Sequence, residues 1–206
     1  MARICGYALQ LWPKASHIAD VPKVYASPYQ PEFCGWAFPY FRNQDRYNPP
    51  HKCTPNAVPI AENAIPDFPN IDVVMTHGPP MGVLDATDRG EHVGCEHLLR
   101  AARRCRPRLH CFGHIHEGWG AQKVRWNDSD ELDVKVEEHI EAVDAVPVDN
   151  EIAKQERAAT VDISRDGNTA IEFGKQTLMV NASIMNVRYR PWNAPWLVDL
   201  DLELAK

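Results

Sequence analysis

An α/β fold with a mostly parallel sheet is predicted for this 206-residue chain by two short apolar runs, an amphipathic helical run between them, and a histidine-bearing break after each run. The first run, Ile71-Asp72-Val73-Val74-Met75, is β-branched and almost fully apolar, as a strand buried on both faces requires. Thr76-His77-Gly78-Pro79-Pro80 breaks it sharply. Gly94–Cys105 places Cys95, Leu98, Leu99 and Ala102 at i, i+3, i+4 and i+7, one apolar face of a helix. Arg100, Arg103 and Arg104 gather toward its end, where the helix dipole favours cations, and Pro107 stops it. Leu109–Phe112 is the second strand, ending at Gly113-His114-Ile115-His116. Strand, loop, helix and strand make one βαβ unit whose strands deliver histidines to the same C-terminal edge, where open α/β sheets place their ligands.

The flanks are less regular. Many of the 17 prolines lie in the first 70 residues, and because proline fixes φ and removes a donor, long helices are excluded there. Val24-Tyr25-Ala26 reads as a short strand leading into a loop, Ser27 to Phe41, that carries Tyr29, Phe33, Trp36, Phe38, Tyr40 and Phe41. That loop is either a surface flap with a small core of its own or the aromatic wall of a pocket. Between Asn127 and Arg157, eleven carboxylates face three Lys or Arg, a local balance of −8 within a total of −6. With irregular apolar spacing and like charges in repulsion, an acidic insertion over 125–157 is expected to be partly disordered. Thr160–Ser164 and Thr169–Phe173 flank Arg165-Asp166-Gly167-Asn168 and predict a hairpin. Thr177–Ser183 and Trp196–Leu200 are the closing strands.

No run approaches the roughly 18 apolar residues that span a bilayer, and the N-terminal apolar patch is brief, so no membrane association is expected and the location reads as cytoplasmic. Six cysteines form no CxxC pair or regular framework, which predicts reduced, buried thiols. The net negative charge argues against a nucleic-acid partner.

Six of nine histidines fall between His77 and His116. Neutral imidazole binds Zn, Fe or Mn, and a glycine such as Gly113 permits close backbone approach. His114 and His116 alone are compatible with either metal ligation or a polar turn. His77, at the matching end of the preceding strand, tips the balance toward a metal.

Ile71–Pro80 together with Gly113-His114-Ile115-His116 resembles the last two ligand motifs of the calcineurin-like metallophosphoesterases. Val24–Phe38, the Gly94–Cys105 helix, Arg106–Phe112, His116-Glu117-Gly118, Val180-Asn181-Ala182-Ser183 and Asn193–Leu200 resemble one branch, the metallophosphoesterase-domain-containing proteins. The resemblance covers about 24–120 and 177–200. It implies the C-terminal portion of an αββα sandwich with two divalent ions, Mn, Fe or Zn, about 3.5–4 Å apart, hydrolysing phosphate mono- or diesters of a small substrate. By motif matching His77 and His114 would hold one ion and His116 the other, whereas His92, His97 and His110 match no ligand position. Family members begin with Asp-x-His, Gly-Asp-x-x-Asp and Gly-Asn-His motifs, and none of these strings occurs in the 206 residues. The chain is therefore expected to be a single incomplete domain, 1–206, with the first 23 residues too few to form another βαβ unit. Three roles are open to such a chain: a hydrolase impaired on its own, a non-catalytic accessory binding protein, or one half of a split enzyme. A protein partner or self-association is expected to cover the sheet face left exposed.

Overall fold

Alternation along short buried strands assigns each side chain to one of two cores. The computed structural model describes residues 2–5, 8–11, 22–128 and 135–202, the first two segments as backbone only. In chain order the elements are β1 (Ala2–Cys5), β2 (Ala8–Leu11), β3 (Val24–Ser27), β4 (Gln30–Pro31), β5 (Pro39–Tyr40), β6 (Gln44–Asp45), β7 (Val58–Pro59), β8 (Val73–Thr76), α1 (Glu96–Cys105), β9 (Leu109–Phe112), β10 (Gly120–Trp126), β11 (Ile140–Ala145), α2 (Asn150–Glu156), β12 (Ala159–Asp162), β13 (Gln176–Asn181) and β14 (Trp196–Leu200). A six-stranded sheet runs β11-β10-β13-β9-β8-β3 and a four-stranded one β12-β14-β1-β2. In the larger sheet β3, β8, β9 and β13 are parallel, and β10 and β11 complete it antiparallel. The expected βαβ unit is present, with Val73 opposite Leu109 and Met75 opposite Cys111.

Val73, Leu109, Cys111, Leu178 and Val180 point from the large sheet into a core shared with Val161, Trp196, Val198 and Leu200 of the small one. On the opposite face Val74 meets Leu98, Ala101 and Cys105 of α1, while Phe112, Met179 and Val124 meet its Leu99 and Ala102. Helix α1 starts where the Cys95 sulfur accepts from the Leu98 N–H at 3.4 Å and ends at Arg106, whose φ of 42° closes the last turn onto the Ala102 carbonyl. Arg104 goes beyond a dipole partner: its guanidinium donates to the Ile65 and Tyr47 carbonyls at 2.8 and 3.2 Å and pairs with Asp67, pinning the proline-rich 45–67 segment to the helix.

Both faces of the large sheet are covered by described elements of the chain, and β1 and β2 add a hairpin to β14. The predicted hairpin around Arg165–Asn168 does not form. β12 pairs parallel with β14 instead, and the Thr169 N–H returns to the Asp162 carbonyl in a compact turn. A parallel neighbour offers the Ala159–Asp162 backbone a full ladder beside buried Val198, which local turn chemistry cannot match. In the acidic stretch 125–157 the described residues include β11, paired with β10, and α2, capped by the Asp149 carboxylate; 129–134 lie outside the described residues. Charge repulsion is offset there because β11 leaves most of its side chains in water. Of the cysteines with described side chains, Cys95, Cys105 and Cys111 are buried free thiols, Cys53 is half-buried and Cys34 exposed.

His110 is fully buried on the α1 side of β9. The Thr76 hydroxyl gives its single proton to the Gly78 carbonyl at 2.8 Å, so it accepts from His110 Nε2 at 2.9 Å. Burial holds this imidazole neutral, its pKa pushed down to about 3 from 6.5. Between those values the unfolded chain takes up a proton that the folded chain refuses, so stability is full above pH 6.5 and is lost as pH falls through the window. Melting temperature is expected to fall between pH 6.5 and 5, less steeply in His110→Gln; a rise on acidification would contradict this burial. Leu178, with no exposed surface, sits between the two sheets. Leu178→Ala is expected to cost about 2–5 kcal/mol in denaturant unfolding.

Candidate functional site

Parallel strands that end in register bring the residues beyond their last rungs together. The His77 N–H donates to the Ser27 carbonyl at 3.1 Å and its own carbonyl accepts from Gly113 at 3.0 Å, which extends the β3-β8-β9 ladder through the first histidine. Beyond buried Gly113, His114 adopts φ 71°, a left-handed conformation that costs an L-residue free energy and turns its ring back over β8. His77 Nε2 and His114 Nδ1 thereby approach to 3.0 Å. Burial lowers the pKa of His77. It also pushes His114 down to about 4, helped by the neighbouring His77 and His116 and opposed by Glu117, so both rings are neutral at pH 7.

His116 is tied elsewhere. Its Nδ1 lies 3.0 Å from the Asn186 carbonyl. A carbonyl only accepts, so Nδ1 carries the proton and Nε2 keeps the lone pair. The other three histidines are apart from this edge chemistry: His92 pairs with the buried Asp85 carboxylate at 2.6 Å, His97 reaches the Arg42 carbonyl at 3.1 Å, and His110 points into the opposite core.

The three edge histidines line a cleft of about 650 Å³. The aromatic loop forms its wall, with Trp36 and Phe33 edge-to-face on His114 at 5.6 and 6.3 Å, while Tyr40 of the same loop turns into the core. From the other side Tyr189 meets His116 at 5.4 Å. Arg42 and Glu117 bring opposite charges to the lining. Tyr189, Arg42 and the Asn186 carbonyl carry no readable spacing signal, because a loop that returns to a strand edge leaves no periodicity.

Two nitrogens each about 2.1 Å from one ion and at right angles across it lie about 3.0 Å apart. The His77–His114 separation therefore fits two adjacent ligands of one divalent ion, and neutral imidazoles are the ligating form. Among the described residues no group of three His, Cys, Asp or Glu is gathered tightly enough to hold a metal. His116 lines the same cleft.

No family model matches the chain. Over 180 residues, 86% of its length, the chain is 32% identical to Metallophosphoesterase domain-containing protein 1 of Homo sapiens, and equally to that of Mus musculus. These similarities support a metallophosphoesterase family. A UPF0046 protein of Caenorhabditis elegans is 38% identical over 101 residues, 47% of the chain and 21% of that protein. Over 107 residues, 51% of its length, the chain is 36% identical to part of a probable rhamnogalacturonate lyase C of Emericella nidulans, covering 8% of that protein. The chain spans 36% of the length of the mammalian metallophosphoesterase-domain relatives. The mixed α/β architecture with its central sheet is consistent with a metallophosphoesterase-like fold. No described helix is long and apolar enough to cross a membrane.

Gly118 lies just beyond the histidine loop, where a Cβ would be 2.1 Å from the Leu84 carbonyl oxygen and 2.9 Å from Asn181 Nδ2. Gly118→Ala is expected to lose about 1–3 kcal/mol in denaturant unfolding, since backbone must move to admit the methyl. An unchanged midpoint would show that the loops are not packed this closely.

Proposed function

We propose that the chain is a metallophosphoesterase-like domain whose His77 and His114 hold one divalent ion, Mn, Fe or Zn, with His116 as donor to a second. The 3.0 Å approach of two neutral ring nitrogens at the strand edge carries this reading. A divalent ion there supplies Lewis-acid polarisation of a phosphoryl oxygen and activation of water. Trp36, Phe33 and Tyr189 wall the cleft against bulk water and suit an aryl group on a small phosphate mono- or diester. Arg42 adds a positive charge for the phosphoryl oxygens.

Carboxylate and asparagine ligands of the family's first three motifs are absent from the 206 residues, so three imidazoles face the charge of two dications without an anion among them. Hydrolysis by this chain alone is accordingly weak, and full activity requires ligands supplied from outside these residues, as in a split enzyme completed by a partner. The second reading, a non-catalytic accessory binding protein, is favoured by the lack of any three-ligand group among the described residues.

Titration calorimetry with Mn²⁺ and with Zn²⁺ is expected to show binding that weakens at least tenfold in His114→Ala, a loss of about 1.4 kcal/mol. Slow metal-dependent hydrolysis of bis(p-nitrophenyl) phosphate, abolished in the same variant, would establish the hydrolase. Binding without turnover would favour the accessory role, and the absence of binding by either ion would overturn the metal-centre reading and leave the accessory one.

A further inference from the structure

Asn181 occupies the C-terminal end of β13, beside Phe112 at the end of β9, and has no exposed surface. Its amide nitrogen donates at 2.8 Å to the carbonyl of Ile115, the residue between His114 and His116, and at 3.1 Å to the carbonyl of Leu84. Its amide oxygen accepts from the Ser183 N–H at 3.1 Å. Both amide protons are thus committed, one to the histidine loop and one to the loop that leads from Pro80 to α1. The bonds join positions 66 and 97 residues away along the chain. Gly118 sits against the same amide, so the junction has no slack.

We infer that Asn181 is a positioning residue that fixes the His114-Ile115-His116 loop, and through it the His77–His114 ring pair, by clamping the Ile115 and Leu84 carbonyls together. An amide is suited to this task because one nitrogen supplies two donors while the oxygen anchors the side chain to its own strand. Aspartate, with the same shape, offers no donor and would set a negative charge against two carbonyl oxygens. The left-handed backbone at His114 needs such support, since a strained residue persists only where its surroundings over-determine it.

The importance of the clamp for metal binding rests on the proposed metal site, but the clamp itself is tested on the metal-free protein. Ring ¹⁵N shifts of His77 and His114 report which nitrogen of each carries a proton. They are to be compared among the unsubstituted chain, Asn181→Ala and Thr177→Val. Thr177 lies at the other end of β13, where its hydroxyl donates to the Pro107 carbonyl at 2.6 Å and accepts from Trp126 at 2.9 Å, so its variant loses buried hydrogen bonds away from the strand edge. Fixed tautomers are expected in the unsubstituted chain and in Thr177→Val, with loss to tautomer-averaged shifts in Asn181→Ala. If Asn181→Ala does not fold, Asn181→Ser, which keeps one donor, takes its place. Unchanged ring shifts in the Asn181 variant would overturn the assignment, as would equal disturbance by Thr177→Val or failure of both Asn181 variants to fold.

Discussion

Parallel pairing of β8 with β9 is the constraint on which the remainder of the molecule depends. Asp72 starts it, its carbonyl accepting from Arg108 and Leu109 at 2.9 and 3.2 Å, and the Gly113 N–H closes it on the His77 carbonyl at 3.0 Å. Both ends are pinned, and a one-residue slip of β9 would move Leu109 and Cys111 from the inter-sheet core to the helix side. The same register that buries these residues brings His77 and the His114 turn to one edge. Fold stability and site geometry are consequently set by a single ladder, with α1 as the crossover that lets the strands run the same way.

Chemistry at that edge is governed by solvent exclusion. Aromatic edges from Trp36 and Phe33 lie against His114, and burial lowers its proton affinity, which leaves lone pairs for an electrophile. The proton on His116 is set by a backbone carbonyl from a loop 70 residues further on. Such fixed tautomers let imidazoles present nitrogen without reorganisation. Among the described residues no group of three His, Cys, Asp or Glu is gathered at this edge, and the carboxylate that acts on His114 from the cleft lining is Glu117.

The parts of this picture legible in the sequence share a physical origin. Ile71–Met75, Leu109–Phe112 and the i, i+3, i+4, i+7 pattern of α1 report burial directly, and their ends place His77 and His114 without any knowledge of contacts. Asn181, Asn186 and Arg104 act through single long-range hydrogen bonds, which leave no pattern in neighbouring residues. Turn chemistry around Arg165–Asn168 misled because a parallel partner for β12 lay far away in sequence, at β14. In the acidic stretch the described residues include β11, which pairs with the edge of β10 and leaves its carboxylates in solvent.

Anomalous diffraction from crystals grown with Mn²⁺ tests the central claim most directly. A peak about 2.1 Å from both His77 Nε2 and His114 Nδ1 is the predicted result. Crystals soaked at saturating Mn²⁺ that show no peak at this edge, with the two rings still hydrogen-bonded to each other, would contradict it.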